Sequence, residues 1–374
     1  MLLFLFLPLL GIAYCGWHVW TLVPLPRLWR ALIIAFGVGC FALIFLNFGH
    51  VTDRMPLRLA RLCYDFGNSS IFVMLYLVMT FLVLDLGRLT RLIPREWLHQ
   101  NFYTTAAIIV GLFVVFLMGN IRYNHKSREE VHLTTTKRLS KPVRLVMMSD
   151  LHLGYHNPRK ELARWVDTIN GEEPDAVLIA GDIIDMSLRP LTEERMFEEL
   201  RRIKAPVFAC LGNHEYFAAN PQALQLFYAD AGICLLRDSC AVVGDLLVIG
   251  RDDRMNPHRK PLNVILRDGV VEKDFSNQQA AKVAGECYTI VLDHQPYNLE
   301  QAERAGIDFQ FSGHTHRGQV WPISWITDHV YECSFGPWQR GNTHYYVSSG
   351  IGIWGGKFRI GTRSEYVVVN IEQK

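Results

Sequence analysis

The chain has 374 residues, enough for two domains, and a formal net charge of only +2. That charge is unevenly divided, because residues 1–121 hold eight Arg, no Lys and four acidic residues, whereas residues 122–374 hold 30 basic and 32 acidic residues. A carboxy-terminal part without excess positive charge has no general attraction for a nucleic-acid backbone, so we expect no nucleic-acid partner and exclude a general nuclease.

The first third of the chain contains four long apolar runs, which we predict to be membrane-spanning helices: Leu2–Val23, Ala31–Phe48, Ser69–Leu86 and Phe102–Ile121. About 18 apolar residues suffice to cross the hydrocarbon core of a bilayer as a helix. A cleaved signal peptide is the alternative for the first run, but this run lacks a basic leading region and three further runs follow it. Residues 1–121 are therefore predicted to form a transmembrane domain with about four helices.

The basic residues near these runs predict the orientation of the protein. Nine Lys and Arg lie on the face that carries the carboxy-terminal part and five lie on the opposite face. An excess of this kind marks the cytoplasmic side. The five cysteines beyond residue 121 show no paired spacing, as expected in a reducing compartment. We predict a multi-pass protein of the inner (cell) membrane with its carboxy-terminal domain on the cytoplasmic face.

Residues 122–141 are polar and charged and predict a juxtamembrane linker, which leaves residues 142–374 for a second domain. Runs of strand length alternate there with helical periodicity and then dominate, which predicts a layered α/β domain with mixed sheets. The predicted strands are Val143–Met148, Ala176–Ala180, Val207–Leu211, Leu246–Ile249, Tyr288–Leu292, Phe309–Phe311, Tyr345–Ser348 and Tyr366–Ile371. The predicted helices are Lys160–Asn170, Thr192–Lys204, Asn220–Ala231 and Asn298–Ala305.

Five short blocks of potential metal ligands follow predicted strands: Asp150-Leu-His152, Gly181-Asp182-Ile-Ile-Asp185, Gly212-Asn213-His214-Glu215, His294 in Asp-His-Gln-Pro, and Gly313-His314-Thr-His316. In open α/β sheets, ligands bind beyond the carboxyl ends of the strands. Carboxylate, imidazole and amide oxygen together suit a divalent metal of hard or borderline character. Each block alone has a structural explanation, such as an Asp that caps a helix, but all five in this order predict a metal site.

In these blocks the chain resembles the calcineurin-like metallophosphoesterase superfamily. It is most similar to the membrane-associated bacterial branch, because the last block continues as Gly-His-Thr-His-Arg-Gly-Gln followed by Val-Trp-Pro. The resemblance extends from about Arg144 to Ile371, and the first third of the chain has no counterpart in the soluble members. It implies a four-layer αββα sandwich of two facing sheets flanked by helices, preceded here by the α-helical transmembrane domain.

The resemblance also implies a role for each candidate residue. One of two divalent metal ions (Mn, Fe or Zn) would be held by Asp150, His152, Asp182 and His316, and the other by Asp182, Asn213, His294 and His314. A hydroxide that bridges the ions would attack phosphorus, and the catalytic residue His214 would assist the departing oxygen without binding metal. Asp185 and Glu215 would orient the histidines. Arg317 stands where many relatives have Gly and is a candidate for binding substrate phosphate.

We therefore expect an enzyme, a metal-dependent phosphoesterase that hydrolyses a phosphate ester or pyrophosphate bond. Attachment to a bilayer favours a lipid or envelope-precursor substrate. Aromatic and basic residues of the late sequence suit a rim that contacts lipid head groups, although the aromatic side chains would equally fill the core of a sheet: Trp321, Trp325, Phe335, Trp338, Trp354, Phe358, Arg340, Lys357 and Arg359.

Two alternatives remain open from the sequence. The first is a phosphodiesterase for a soluble, nucleotide-like substrate, in which the membrane part is only an anchor. The second is a membrane sensor or transporter in which the metal domain is regulatory. The predicted spans contain few charged residues, and a transport path would need them, so this alternative is disfavoured.

Overall fold

The structure is a computed structural model that describes residues 2–218, 220–268 and 285–374, without the side chains of residues 2–6 and 48–50. The chain forms two compact units. The amino-terminal unit comprises Met1–Ile121 and the short segment Gly355–Phe358, and the carboxy-terminal unit comprises Arg122–Trp354 and Arg359–Lys374.

Four long helices make up most of the first 124 residues: α1 Leu2–Leu22, α2 Arg27–Ala42, α3 Leu57–Leu89 and α4 Phe102–Asn124. Short 3₁₀ turns occupy Leu43–His50, Thr52–Arg54 and Arg95–Leu98. Pro26 and Pro56 immediately precede α2 and α3, where a missing amide proton costs nothing. The Asn101 side chain caps α4 by accepting the Thr104 amide at 2.9 Å. Local sequence thus sets the start of each of these helices.

Three stretches have the length and apolar composition of membrane-spanning helices, namely Arg27–Asn47, Leu57–Leu89 and Phe102–Asn124. They correspond to the second, third and fourth apolar runs of the sequence. The first run coincides with α1, but part of it lies outside the residues whose side chains the structure describes. A fourth span therefore stays a prediction.

A polar contact joins α1 to α3 inside the amino-terminal unit. The Asp85 carboxylate accepts the Tyr14 hydroxyl at 2.7 Å and lies 3.1 Å from His18 Nε2. The His18 ring is buried and stacks on Phe81, with 4.3 Å between the ring centres. Because polar groups in an apolar medium gain from pairing, this contact fastens α1 to the helix bundle.

The described residues of the carboxy-terminal unit form twelve strands in two sheets of six. They are β1 Lys126–Thr135, β2 Val143–Met148, β3 Ala176–Ala180, β4 Val207–Cys210, β5 Ile233–Leu235, β6 Ser239–Val243, β7 Leu246–Gly250, β8 Tyr288–Leu292, β9 Phe309–Ser312, β10 Gly336–Arg340, β11 Thr343–Val347 and β12 Ser364–Gln373. The strand order is β1-β12-β2-β3-β4-β5 in one sheet and β10-β11-β9-β8-β7-β6 in the other.

Helices flank these sheets. They are α5 Arg159–Gly171, α6 Arg189–Glu193, α7 Met196–Leu200, α8 Glu215–Ala218, α9 Pro221–Asp230, α10 Leu262–Asp268, α11 Glu300–Arg304 and α12 Ile323–Val330. Side chains alternate along each strand, so Leu145 and Met147 of β2 join the core between the two sheets, whereas Val146 and Met148 join the core beneath the helices. A third core packs α10 and α11 on the second sheet. The predicted α/β class and αββα layering are confirmed.

Several details differ from the sequence prediction. The predicted linker of residues 122–141 contains β1, which pairs in parallel with β12 at the edge of its sheet. An edge strand is half exposed and carries charged residues, so its sequence looks like a linker. Consequently a single residue, His125, separates α4 from β1. The predicted helix Thr192–Lys204 is interrupted at Arg195, which has φ of 53°.

Candidate metal centre

The five ligand blocks lie beyond the carboxyl ends of five strands. Asp150, Asp182 and Asn213 follow β2, β3 and β4 of one sheet, and His294 and His314 follow β8 and β9 of the other. Backbone hydrogen bonds connect the loops, from the Asp150 amide to the Gly181 carbonyl at 3.1 Å and from the Gly313 amide to the His294 carbonyl at 2.9 Å. Blocks that are distant in sequence therefore meet between the sheets.

Five of the predicted ligands have left-handed backbone conformations, with φ between 44° and 69°: Asp150, His152, Asp182, His314 and His316. Such conformations cost about 1–3 kcal/mol each in residues other than glycine and persist only where the surroundings impose them. Here the connected loops impose them. The strain is concentrated on residues whose side chains converge, which is typical of a functional site.

The first cluster consists of Asp150, His152 and His316, which are all buried. The Nε2 atoms of the two histidines lie 3.1 Å apart. Asp150 Oδ1 lies 3.4 Å from His316 Nε2 and 3.8 Å from His152 Nε2. Asp182 Oδ2 lies 3.7 Å from His152 Nε2. The four residues predicted to hold one ion are thus brought together.

The second cluster consists of Asp182, His294 and His314. Asp182 Oδ2 lies 3.1 Å from His294 Nε2, and the rings of the two histidines have centres 5.1 Å apart. Asn213 Oδ1 is buried and has no hydrogen-bond partner among the described residues. Asp182 contributes to both clusters through the same carboxylate, as expected of a residue that bridges two ions.

Hydrogen bonds behind the histidines determine whether this arrangement suits a cation. His294 Nδ1 donates to the Ala180 carbonyl at 2.8 Å, so Nε2 is the nitrogen that faces the Asp182 carboxylate and would bind a cation. His152 Nδ1 faces Asp185 Oδ1 at 3.3 Å, so its Nε2 presents a lone pair to His316 Nε2. Lone pairs and carboxylates that converge in a buried volume repel one another unless a cation lies among them. The residues therefore fit divalent ions, and their nitrogen and oxygen ligands suit Mn, Fe or Zn.

The pKa values of Asp182, His314 and His316 favour the forms that bind a cation, whereas those of Asp150 and His294 are shifted towards the protonated forms, which a bound cation would reverse. Burial lowers the pKa of His314 to about 3, and burial also lowers the pKa of His316, so both rings stay neutral as ligands must. Burial raises the pKa of Asp150. Burial alone would raise the pKa of Asp182, but the neighbouring His294 and His214 hold it well below its ordinary value. Burial alone would lower the pKa of His294, yet the Asp182 charge raises it.

Asp185 contacts two histidines, as predicted for a residue that orients them. Its Oδ1 atom lies 3.3 Å from His152 Nδ1 and 3.1 Å from His214 Nδ1. Burial would raise the pKa of Asp185, but these two histidines lower it, so it is ionised. Burial would lower the pKa of His214, whereas the charges of Asp182 and Asp185 raise it to about 9. His214 is half-buried, and its amide donates to Asp182 Oδ1 at 2.9 Å.

Glu215 has a different role from the one predicted. Its carboxylate accepts backbone amides of Asp182 at 3.1 Å, Ile184 at 3.0 Å and Gly212 at 2.7 Å, and the Tyr228 hydroxyl at 3.2 Å. It therefore ties the loop after β3 to the loop after β4, and its partners are main-chain groups and a phenol. A sequence does not reveal which donors a buried carboxylate will meet.

Arg359 is a supporting residue that the sequence placed on the rim, and this prediction is wrong because its side chain is fully buried. Its guanidinium donates to the carbonyls of His316 at 2.9 Å, Ser349 at 2.5 Å and Gly352 at 3.0 Å. Burial lowers its pKa to about 10, so it stays charged at neutral pH. No motif surrounds Arg359, and only the fold reveals that it fixes the loop that carries His316.

Arg317, the candidate for binding phosphate, is half-buried beside the first cluster. Its φ is 48°, and its guanidinium lies 4.6 Å from the centre of the Phe335 ring. Among the predicted aromatic rim residues, Trp321 and Trp325 are exposed, whereas Trp338 packs partly buried against the core under α10 and α11. The late aromatic residues therefore divide between rim and core.

We predict that Gly212→Ala prevents metal binding. A Cβ at this position would lie 2.1 Å from Asp182 Oδ1, so the shared ligand would have to move. Metal content after dialysis measures the effect. Gly171→Ala is the control, because its Cβ would meet nothing within 4 Å. Normal metal content in Gly212→Ala would contradict the assignment of Asp182 as a ligand.

We predict that Asp185→Asn weakens metal binding about 10–100-fold, as is usual when a group that orients a ligand is lost. The neutral amide removes the negative charge that the Nδ1 atoms of His152 and His214 both face. Competition with a chelator measures the affinity. Asp167→Asn, with a side chain 64% exposed, serves as the control. Equal metal affinities in the two variants would contradict the orienting role of Asp185.

Comparisons with known proteins agree with this geometry. The family model for the calcineurin-like phosphoesterases matches residues 143–318. An uncharacterized metallophosphoesterase of Campylobacter jejuni is 26% identical over 275 residues, covering 73% of the chain and 70% of that relative. A transmembrane protein with metallophosphoesterase domain from Danio rerio is 28% identical over 387 residues, covering 96% of the chain and 84% of the relative.

Among solved structures, a 5'-nucleotidase precursor from Thermus thermophilus is 15% identical with a TM-score of 0.36. The similarity covers 57% of the chain and about half the length of that protein. The family match and the sequence relatives carry the assignment. Residues 143–318 therefore form a calcineurin-like phosphoesterase domain, which makes the protein a phosphoester hydrolase, and nearly the whole chain is similar to a transmembrane protein that carries such a domain.

Proposed function

We propose that the protein is a membrane-anchored phosphoesterase that hydrolyses a phosphate ester or pyrophosphate bond in a lipid or envelope-precursor substrate. The observation that carries this proposal is the combination of two convergent ligand clusters with three helices of membrane-spanning length in one chain. The charge bias of the loops supports an inner-membrane protein with its catalytic unit in the cytoplasm.

Two divalent ions would be held by the clusters described above, with Asp182 shared and Asn213 adding an amide oxygen to the second. When bound, these ions supply Lewis-acid charge that activates water and neutralises the phosphoryl oxygens. The protein's own contribution is to keep the ligands in place before substrate arrives. Glu215 and Arg359 do this by holding the loop backbones, and Asp185 does it by holding two imidazole rings.

The surroundings of His214 support a role for this residue as the group that acts on the substrate. Asp185 Oδ1 lies 3.1 Å from His214 Nδ1, so Nε2 is the ring nitrogen that would contact a substrate group. The ring is half-buried, and its centre lies 4.5 Å from that of His152. His214 would donate a proton to the oxygen that leaves phosphorus, while Arg317, adjacent in sequence to His316, would bind a phosphate oxygen or a charged head group.

We predict that His214→Gln lowers kcat about 10²–10⁴-fold, the usual contribution of a positioned proton donor. Metal content and KM should change little, because His214 is not a ligand in this scheme. Steady-state kinetics with metal analysis of the same sample separates the two effects. His132→Gln, at a position 70% exposed on β1, is the control. Loss of metal in His214→Gln would contradict this role and would show that His214 is a metal ligand.

The substrate class is tested with the full chain in lipid nanodiscs, loaded with Mn. We expect hydrolysis of lipid phosphates or lipid pyrophosphates to exceed hydrolysis of soluble esters such as bis-p-nitrophenyl phosphate. Asp182→Asn should abolish both activities while the protein stays in the membrane, because both clusters lose their shared carboxylate. Activity in Asp182→Asn would contradict the mechanism.

A second outcome distinguishes the alternative substrate. Preference for soluble, nucleotide-like diesters over lipid phosphates would keep the hydrolase and make the membrane part an anchor only.

A further inference from the structure

Half of the large apolar side chains that the carboxy-terminal unit exposes lie in one short segment that follows two of the candidate metal ligands. In the part of this unit that the structure describes, the exposed large apolar residues are Phe217, Leu226, Met255, Trp321, Trp325, Ile326, Val330 and Trp354. Half of them fall in the ten residues Trp321–Val330, which begin five positions after His316 and include α12. A concentrated apolar surface of this kind marks an interaction site more often than scattered residues do.

Three of the five exposed residues of α12 are apolar, and Asp328 and His329 are the other two. Ser324 is only 7% exposed, whereas the next residues, Trp325 and Ile326, are 65% and 62% exposed and Val330 is 56% exposed. A surface helix normally buries its apolar side chains and exposes its polar ones. The outward face of α12 therefore suits an apolar environment better than water.

The α12 segment is fastened to the loop that carries two metal ligands. Thr315, between His314 and His316, donates its hydroxyl to the Ser334 carbonyl at 2.7 Å. A Cβ on Gly318 would lie 2.5 Å from the Ile323 carbonyl carbon, so the start of α12 packs directly on this loop. At the other side, the Trp321 amide donates to the Ile360 carbonyl at 2.7 Å. A surface that contacts α12 is therefore held at a fixed position relative to the metal ligands His314 and His316.

We infer that Trp321 and α12 form a docking element that inserts into the surface layer of the bilayer and brings the metal centre to phosphates at the membrane surface. This inference deepens the proposed function and rests on it for the substrate. The carboxy-terminal unit is tethered to any bilayer that α4 spans, because α4 ends at Asn124 and β1 begins at Lys126. The contacting indoles of Trp321 and Trp325, with ring centres 5.3 Å apart, are the residue type that favours the lipid–water interface.

Charge also favours a lipid surface over an apolar protein partner. Arg317 lies in the loop that supports α12, and its guanidinium packs on Phe335 at 4.6 Å. Among the residues that the structure describes, no carboxylate forms an ion pair with Arg317, whereas the neighbouring Arg363 pairs with Glu129 and Glu365, both at 2.9 Å. An available cation beside an apolar helix complements an anionic lipid head group and the acyl chains below it.

Insertion is tested without reference to activity. Full-length protein and the Trp325→Phe variant are placed in nanodiscs of ordinary lipid and of lipid brominated on its acyl chains. The difference in emission between the two proteins reports Trp325 alone. We expect bromination to reduce this difference about twofold or more, since interfacial helices bury their apolar face roughly 5–10 Å into the membrane. An unchanged difference would overturn the inference.

The consequence for catalysis is tested with the double variant Trp325→Ser, Ile326→Ser. We expect hydrolysis of a vesicle-borne lipid phosphate to fall at least about tenfold, because burial of one large apolar side chain alone corresponds to a factor of about ten or more. Hydrolysis of soluble bis-p-nitrophenyl phosphate should stay unchanged, which also shows that the variant is folded. Leu226→Ser is the matched control, because Leu226 is 66% exposed on α9, outside the ligand loops.

Three other outcomes would overturn the docking role. The first is an equal loss on both substrates. The second is an equal loss in the control. The third is a halving of the detergent-corrected mass in the double variant, which would show that a second copy covers α12. If the wild-type protein hydrolyses no ester, the proposed function fails, and the bromination result still decides whether α12 inserts.

Discussion

The structure depends on one electrostatic constraint, the convergence of carboxylates and imidazole lone pairs in a buried volume between two sheets. Asp150 and Asp182 are almost inaccessible to water, and the Nε2 atoms of His152 and His294 face these carboxylates. Such an arrangement is unfavourable by itself, and divalent cations make it favourable. Metal binding and the stability of this end of the domain are therefore coupled.

Much of the surrounding structure serves to hold the repelling groups together. Five ligands adopt left-handed conformations, and Glu215 and Arg359 use buried charge to bind the loop backbones. The two supports act on opposite sides, since Glu215 joins the loops after β3 and β4 whereas Arg359 joins the His316 loop to Ser349 and Gly352. Ligands held in this way need little rearrangement when substrate binds, which is the main protein contribution to catalysis of phosphoryl transfer.

The sequence allowed prediction of the buried strands β2, β3 and β8 with their observed bounds, because strands covered on both faces are continuous apolar runs. It also allowed prediction of the ligand blocks, because each one follows such a strand. It did not predict β1, whose polar edge looks like a linker, or α12, whose apolar residues face outwards. The partners of Glu215 and the burial of Arg359 arise from contacts between segments far apart in the chain, which no local pattern encodes.

The central claim is that the two clusters hold divalent ions on which hydrolysis depends. The most direct test strips the full-length protein of metal, titrates Mn back, and follows bound metal and hydrolysis of bis-p-nitrophenyl phosphate in the same sample. We expect no hydrolysis by the stripped protein, about two ions bound per chain at saturation, and full activity only when both clusters are filled. Hydrolysis that survives removal of the metal, or saturation without any gain in activity, would contradict this claim.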